Sequence, residues 1–110
     1  MKIGQKRIPA SGLKFTIEEA GKELARATVF IMTNDLHERP FALLEDVFVE
    51  PDHRGRGLGN ELLRRILARV RELDCYKIIA TSRFERGSVH EWYKRLSFVC
   101  HGYEFRLDLN

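Results

Sequence analysis

Hydrophobic positions along the chain change their period several times, and each change marks an element. Leu13, Phe15 and Ile17 alternate with Lys14, Thr16 and Glu18, as in a half-buried strand, and Ala20-Gly21-Lys22 supplies a turn into a β-branched-rich strand over residues 24–33. Asn34-Asp35 ends that strand. Residues 41–50 form the next one, with Leu43, Leu44, Val47, Phe48 and Val49 on it and Glu45-Asp46 interrupting the alternation. The interruption predicts a β-bulge, which leaves strand N–H groups unpaired by the neighbouring strand. From Leu58 the apolar residues fall at Leu62, Leu63, Ile66, Leu67, Val70 and Leu73, the stripe of an amphipathic helix. A short buried strand at 77–82 follows, so the helix reads as a crossover between parallel strands. Ser88 and Glu91 fit a capping box opening a second helix, with Val89, Trp92, Tyr93 and Leu96 on one face. Shorter patterns predict a first strand at 3–8 and two closing strands at 98–101 and 103–109 around Gly102. Together these elements predict an α/β (α+β) fold with a mixed, mostly antiparallel sheet flanked by helices.

Between the bulged strand and the first helix lies Arg54-Gly55-Arg56-Gly57-Leu58-Gly59-Asn60. Glycines at 55, 57 and 59 keep side chains away from the backbone, and the helix start directs its unpaired N–H groups and positive dipole end into the same space. Arg54 and Arg56 add charge-assisted donors. The segment therefore reads as a phosphate cradle. It is not a Walker loop, because Gly59 is followed by Asn60-Glu61 rather than Lys-Ser/Thr, and it lacks the Rossmann glycine, whose place Asn60 holds.

Val49-Glu50-Pro51 followed by R-x-x-G-x-G at 54–59 resembles the acyl-CoA-binding motif of the GNAT N-acetyltransferases. The downstream segment His90-Glu91-Trp92-Tyr93-Lys94-Arg95-Leu96-Ser97-Phe98 resembles the family's h-x-F-Y-x-x-L-G-F, with Ser97 in place of its glycine. The resemblance implies a GNAT-like fold and acetyl-CoA as co-substrate, with no metal. Its pyrophosphate would lie on residues 54–60 and its pantetheine on the backbone of Val47, Phe48 and Val49. It also implies a departure, since the two helices that the family places between its first and second strands have room here only in residues 9–12.

Acyl transfer from a thioester to an amine needs an acceptor for the amine's proton, a donor to the oxyanion and a proton for the thiolate. The resemblance assigns the oxyanion donor to a backbone N–H within 47–49 and the general acid to Tyr93, whose competing role is that of a core aromatic on the apolar stripe. Glu45 is the candidate base; Glu45 and Asp46 are equally candidates for anchoring the substrate amine. Leu44-Glu45-Asp46-Val47 and Asp74-Cys75-Tyr76-Lys77-Ile78 are similar to segments of the glucosamine-6-phosphate N-acetyltransferases, and the L-E-D strand equally to the polyamine and diamine acetyltransferases. The implied function is acetyl transfer to a primary amine of a small molecule. The alternative is a non-catalytic acyl-CoA-binding module, a sensor or structural partner.

Composition narrows the remainder. At 110 residues, 44% hydrophobic and 32% charged, the chain suits a single domain over 1–110 with a modest core. No apolar run approaches the ~20 residues of a membrane span, and Met1-Lys2-Ile3-Gly4 does not open a signal peptide, so no membrane partner and a cytoplasmic location are expected. Cys75 and Cys100 read as reduced thiols, and His37, His53, His90 and His101 lack zinc-site spacing. A net charge of +3 comes from intermixed acidic and basic residues without an aromatic-plus-basic strand motif, which discounts nucleic acid. The shortened front and the apolar strand pattern at 103–109 predict a homodimer.

Overall fold

In the computed structural model, which describes all of residues 1–110, the two alternating segments form a hairpin. β1 (Ala10–Glu19) pairs antiparallel with β2 (Lys22–Met32). Ala20 and Gly21 alone connect them, at φ 50° and 77°. Two successive positive φ angles define a type I′ turn, whose twist matches that of the strands it joins. β2 pairs antiparallel with β3 (Phe41–Val49), and β3 pairs in parallel with β4 (Ile78–Ala80), giving a four-stranded sheet of order β1-β2-β3-β4. The expected mixed, mostly antiparallel sheet is present.

The helix that follows the glycine loop, α1 (Leu58–Glu72), packs across β1, β2 and β3. Leu62, Leu63, Ile66 and Val70 form its inner stripe, and they meet Ala25, Ala27 and Val29 of β2 and Ala42 and Leu44 of β3 in a core where each is at most 4% exposed. Alanines at three of the sheet positions let the helix axis approach the strands closely. The helix then ends in a Schellman motif: Asp74 takes φ 61°, its N–H reaches Arg71 O at 3.0 Å, and Cys75 N–H reaches Val70 O at 3.2 Å. Arg39, just ahead of β3, donates to the carbonyls of Asp74 and Cys75 at 3.1 and 3.3 Å. Tyr76 N–H to Pro40 O (2.9 Å) and Ala42 N–H to Lys77 O (3.0 Å) then align β4 beside β3. The parallel crossover is thus fixed at its return end by backbone hydrogen bonds.

The chain divides into two compact units, Met1–Ala80 and Thr81–Asn110. The second is built on α2 (Gly87–Arg95), which ends in the same way as α1. Ser97 takes φ 73°, Ser97 N–H bonds Lys94 O and Phe98 N–H bonds Tyr93 O, both at 3.0 Å. The position at which the family motif carries glycine is therefore a left-handed one, which explains that glycine physically.

Four expectations need correction, the first being the buried strand over 77–82, which is only Ile78–Ala80 with Ile79 38% exposed. Residues 3–8 form no strand, and Ile3 and Ile8 are exposed. The capping box is absent: α2 begins one residue before Ser88, Arg86 occupies the cap without a side-chain hydrogen bond, and its carbonyl accepts from Val89 and His90 at 3.1 and 3.2 Å. Residues 98–101 and 103–109 are not strands either, although Tyr103, Phe105, Leu107 and Leu109 keep their alternation while 78–92% exposed. Alternation sets which side chains share a face, but a strand also requires a neighbour to complete its ladder.

Ser97→Gly removes the Cβ from a left-handed position at the cost of glycine's extra chain entropy. The expected result is a gain of about 0.5–1 kcal/mol, read as a rise in melting temperature of roughly 2–6 °C.

Candidate functional site

The first half of β3 lies between two strands and the second half beside one. Its parallel ladder with β4 covers only Ala42, Leu43 and Leu44, whereas its antiparallel ladder with β2 continues to Val49. Within that longer ladder the register slips, since Thr28 faces Glu45 but Arg26 faces Phe48, so Ala27 stands opposite both Asp46 and Val47. This is the bulge that the interrupted alternation predicts, and Asp46 adopts φ 54° to make it.

One inserted residue reverses the sense of the strand. Ahead of the bulge, the even-numbered Ala42 sends its N–H toward β4, to Lys77 O; beyond it, the even-numbered Glu50 sends its N–H toward β2, to Leu24 O at 2.8 Å. The N–H groups of Val47 and Val49 consequently turn to the side where β4 has ended. Side chains reverse too: Leu44 is buried under α1, while Phe48 lies on the opposite face with Arg26.

Beyond β3 the chain makes a short 3-10 turn (Pro51–His53) and enters the glycine loop. Gly55 and Gly57 take φ 83° and 77°, and a Cβ on either would meet nothing within 4 Å. Backbone conformation, rather than crowding by the protein, requires glycine there, and the space beside the loop is open to a ligand. Gly57 is also the N-cap of α1 and offers no capping side chain, and the first helical hydrogen bond runs from Glu61 N–H to Gly57 O at 3.0 Å. The N–H groups of Leu58 and Gly59 therefore point out of the helix, at its positive dipole end.

The arginines of the loop have partners within the protein. Arg54 Nε donates to Val49 O at 2.9 Å. Arg56 spans Glu19 Oε2 at 3.0 Å and His53 Nδ1 at 2.9 Å, tying the loop to the end of β1. On α1, Glu61 accepts from Arg64 and Arg65, whose hydrogen bonds hold its carboxyl below the usual carboxylate range, and Arg69 pairs with Glu72. The positive charge of the loop and of α1 is thus largely neutralised locally.

Glu45 and Asp46 are both exposed, Glu45 on the face turned away from α1. Asp46 accepts from Arg26 Nε at 2.9 Å, and that hydrogen bond raises the arginine's pKa further. Arg26 also lies 4.7 Å from the Phe48 ring centroid, with Arg54 at 5.7 Å from the same ring. Composition and motif spacing did not single out Arg26; the signal was its place on the strand facing the bulge. Tyr93 belongs to the second unit, where its ring stands 5.2 Å from those of Trp92 and of Phe98. Burial pushes the Cys75 thiol up, which fits an unreactive structural cysteine. No group of three or more His, Cys, Asp or Glu is arranged to hold a metal ion, and no helix is long and apolar enough to cross a membrane.

Against known proteins, the profile of the "Acetyltransferase (GNAT) family" matches residues 5–98. A curated relative, glucosamine 6-phosphate N-acetyltransferase of Trypanosoma brucei brucei, is 39% identical over 66 residues, which are 60% of this chain and 43% of the relative. The chain accordingly spans less than half the length of such curated relatives. Among solved structures, a Trypanosoma brucei acetyltransferase superposes with a TM-score of 0.78 at 30% identity, covering 91% of this chain and 69% of that one. AAC(6')-Iy in complex with the bisubstrate analogue CoA-S-monomethyl-acetylneamine superposes with a TM-score of 0.75 over 90% of this chain and 69% of its own; at 19% identity that likeness is one of fold.

Proposed function

We propose a function from the premise that this chain belongs to the acetyltransferase (GNAT) family: it transfers the acetyl group of acetyl-CoA to a primary amine of a small molecule. The observation that carries the reading is the pairing of two open backbone surfaces, the outward N–H groups of Val47 and Val49 and the uncapped start of α1 behind Gly57. Thioester-bearing pantetheine is an extended chain with amide groups, which suits the edge of residues 47–49 that no strand pairs. A pyrophosphate is a compact dianion, which suits Gly55, Gly57 and the N–H groups of Leu58 and Gly59. Arg54 and Arg56 flank that second surface.

In this reading the amine attacks the thioester carbonyl, a C–N bond forms, and the C–S bond breaks. Glu45 accepts the proton the amine loses, directly or through water, and is the carboxylate of the bulge open to anchor a protonated amine, since Asp46 is already paired with Arg26. A backbone N–H within 47–49 donates to the oxyanion, a role that needs no side chain. Tyr93 protonates the departing thiolate, a role open to a phenol of pKa ≈ 10. The name of the Trypanosoma brucei brucei relative, glucosamine 6-phosphate N-acetyltransferase, supports an amino sugar phosphate as acceptor, with a polyamine as the other amine to try. We extend the reading to a homodimer, supported by the uncovered apolar row Tyr103, Phe105, Leu107 and Leu109.

Coenzyme A release from acetyl-CoA, assayed over amino sugars, amino sugar phosphates, polyamines, amino acids and peptides, tests the reaction. Turnover of one class is expected; acetyl-CoA binding without any turnover would favour the sensor role instead. Gly57→Glu puts an anion and a Cβ at a left-handed position beside the cradle. It should abolish the rise in melting temperature that saturating acetyl-CoA gives the wild type, and an undiminished rise in the folded variant would move the site elsewhere. Tyr93→Phe keeps the ring and its packing, so turnover should fall at least roughly tenfold with acetyl-CoA affinity held; activity within about twofold of wild type would make Tyr93 structural. Light scattering at micromolar concentration should return twice the chain mass, and a monomer mass would refute the dimer.

A further inference from the structure

The two acidic residues of the bulge are not equivalent. Glu45 faces Thr28 on an exposed surface and forms no ion pair. Asp46 is held by Arg26 Nε at 2.9 Å, and the same guanidinium approaches Glu23 Oε2 at 3.6 Å and the Phe48 ring at 4.7 Å. Asp46 and Phe48 bracket Val47, so one side chain of β2 grips the strand on both sides of the residue at which its hydrogen-bonding sense has reversed. Asp46 sits at φ 54°, a conformation that aspartate tolerates better than most residues but that still favours glycine. Beyond the kink that strand is otherwise held by its ladder with β2 and by Arg54 Nε on Val49 O, neither of which reaches Asp46.

We infer that Arg26 is a positioning residue for the ligand-binding half of β3. By gripping Asp46 and Phe48 it fixes the left-handed residue that turns the Val47 and Val49 N–H groups outward. It also occupies the Asp46 carboxylate, leaving Glu45 as the carboxylate free to take a proton. The binding and proton-transfer consequences rest on the acetyl-CoA reading given above; the grip itself does not.

The experiment therefore has one readout without ligand and one with it. The 13Cα and 13Cβ chemical shifts of Asp46 report left-handed against extended backbone. They should lie in the left-handed range in the wild type, move toward extended values in Arg26→Gln, and return part of the way in Arg26→Lys, which restores the charge but not the planar fork. Unchanged shifts in Arg26→Gln would overturn the grip.

Acetyl-CoA affinity, measured by calorimetry, should fall about fivefold or more in Arg26→Gln. Asp46→Gly adopts the left-handed angle without help, so in that background Arg26→Gln should change affinity by less than about twofold. An equal loss in both backgrounds would show that Arg26 does not act through Asp46. If the wild type bound no acetyl-CoA, the proposed function would fail together with the binding part of this inference, while the chemical shifts would still decide whether Arg26 sets the bulge.

Discussion

The structure turns on the unequal pairing of β3, which has two neighbours as far as Leu44 and one thereafter. An unpaired strand edge must find partners in water, another chain or a ligand, because backbone N–H and C=O groups are costly to leave unsatisfied. Here the edge opens where β4 ends and where the bulge reverses the direction of the N–H groups. The same few residues lead into the glycine loop and the start of α1, so two sets of backbone donors are separated by one short turn. The core serves this arrangement: α1 is anchored over Ala25, Ala27 and Ala42 by its buried stripe, and that anchoring fixes where its N-terminus points.

Charge near the loop is mostly paired within the protein. Most arginines near the loop have a protein partner: Arg56 with Glu19 and His53, Arg64 and Arg65 with Glu61, Arg69 with Glu72, and Arg54 with a carbonyl. They are exposed, and exposed pairs contribute little to stability. Their effect is geometric. Arg54 and Arg56 tie the loop to the end of β3 and to the end of β1, while the dipole and N–H groups of α1 supply the attraction for an anion.

The likeness to relatives covers the part of the chain that carries these features. The family profile ends at Phe98, the residue whose N–H closes the left-handed turn after α2. Beyond it, the alternating row Tyr103, Phe105, Leu107 and Leu109 is exposed. Its exposure distinguishes it from Ala25, Ala27, Val29, Ala42 and Leu44 of the sheet, which are buried under α1.

Much of this was legible in the sequence. The alternation of Leu13, Phe15 and Ile17, the stripe from Leu62 to Val70, and the interruption at Glu45-Asp46 gave the hairpin, the helix and the bulge, because each pattern follows from a local backbone period that the folded chain retains. The glycines at 55 and 57 were legible for a related reason, since their left-handed angles are local demands. Ser88 misled because a capping motif describes a possible helix start, whereas Arg86 and the turn before it set the actual one. The segments 3–8, 98–101 and 103–109 misled because strand formation depends on a partner that no local pattern supplies. The grip of Arg26 on Asp46, twenty residues apart, was beyond any local pattern, because only the register between β2 and β3 brings the two together. The sequence by itself determined the periods, the turns and the glycine loop; tertiary pairing decided which edges stayed open, which carboxylate was occupied and where the backbone donors point, because those depend on neighbours distant along the chain.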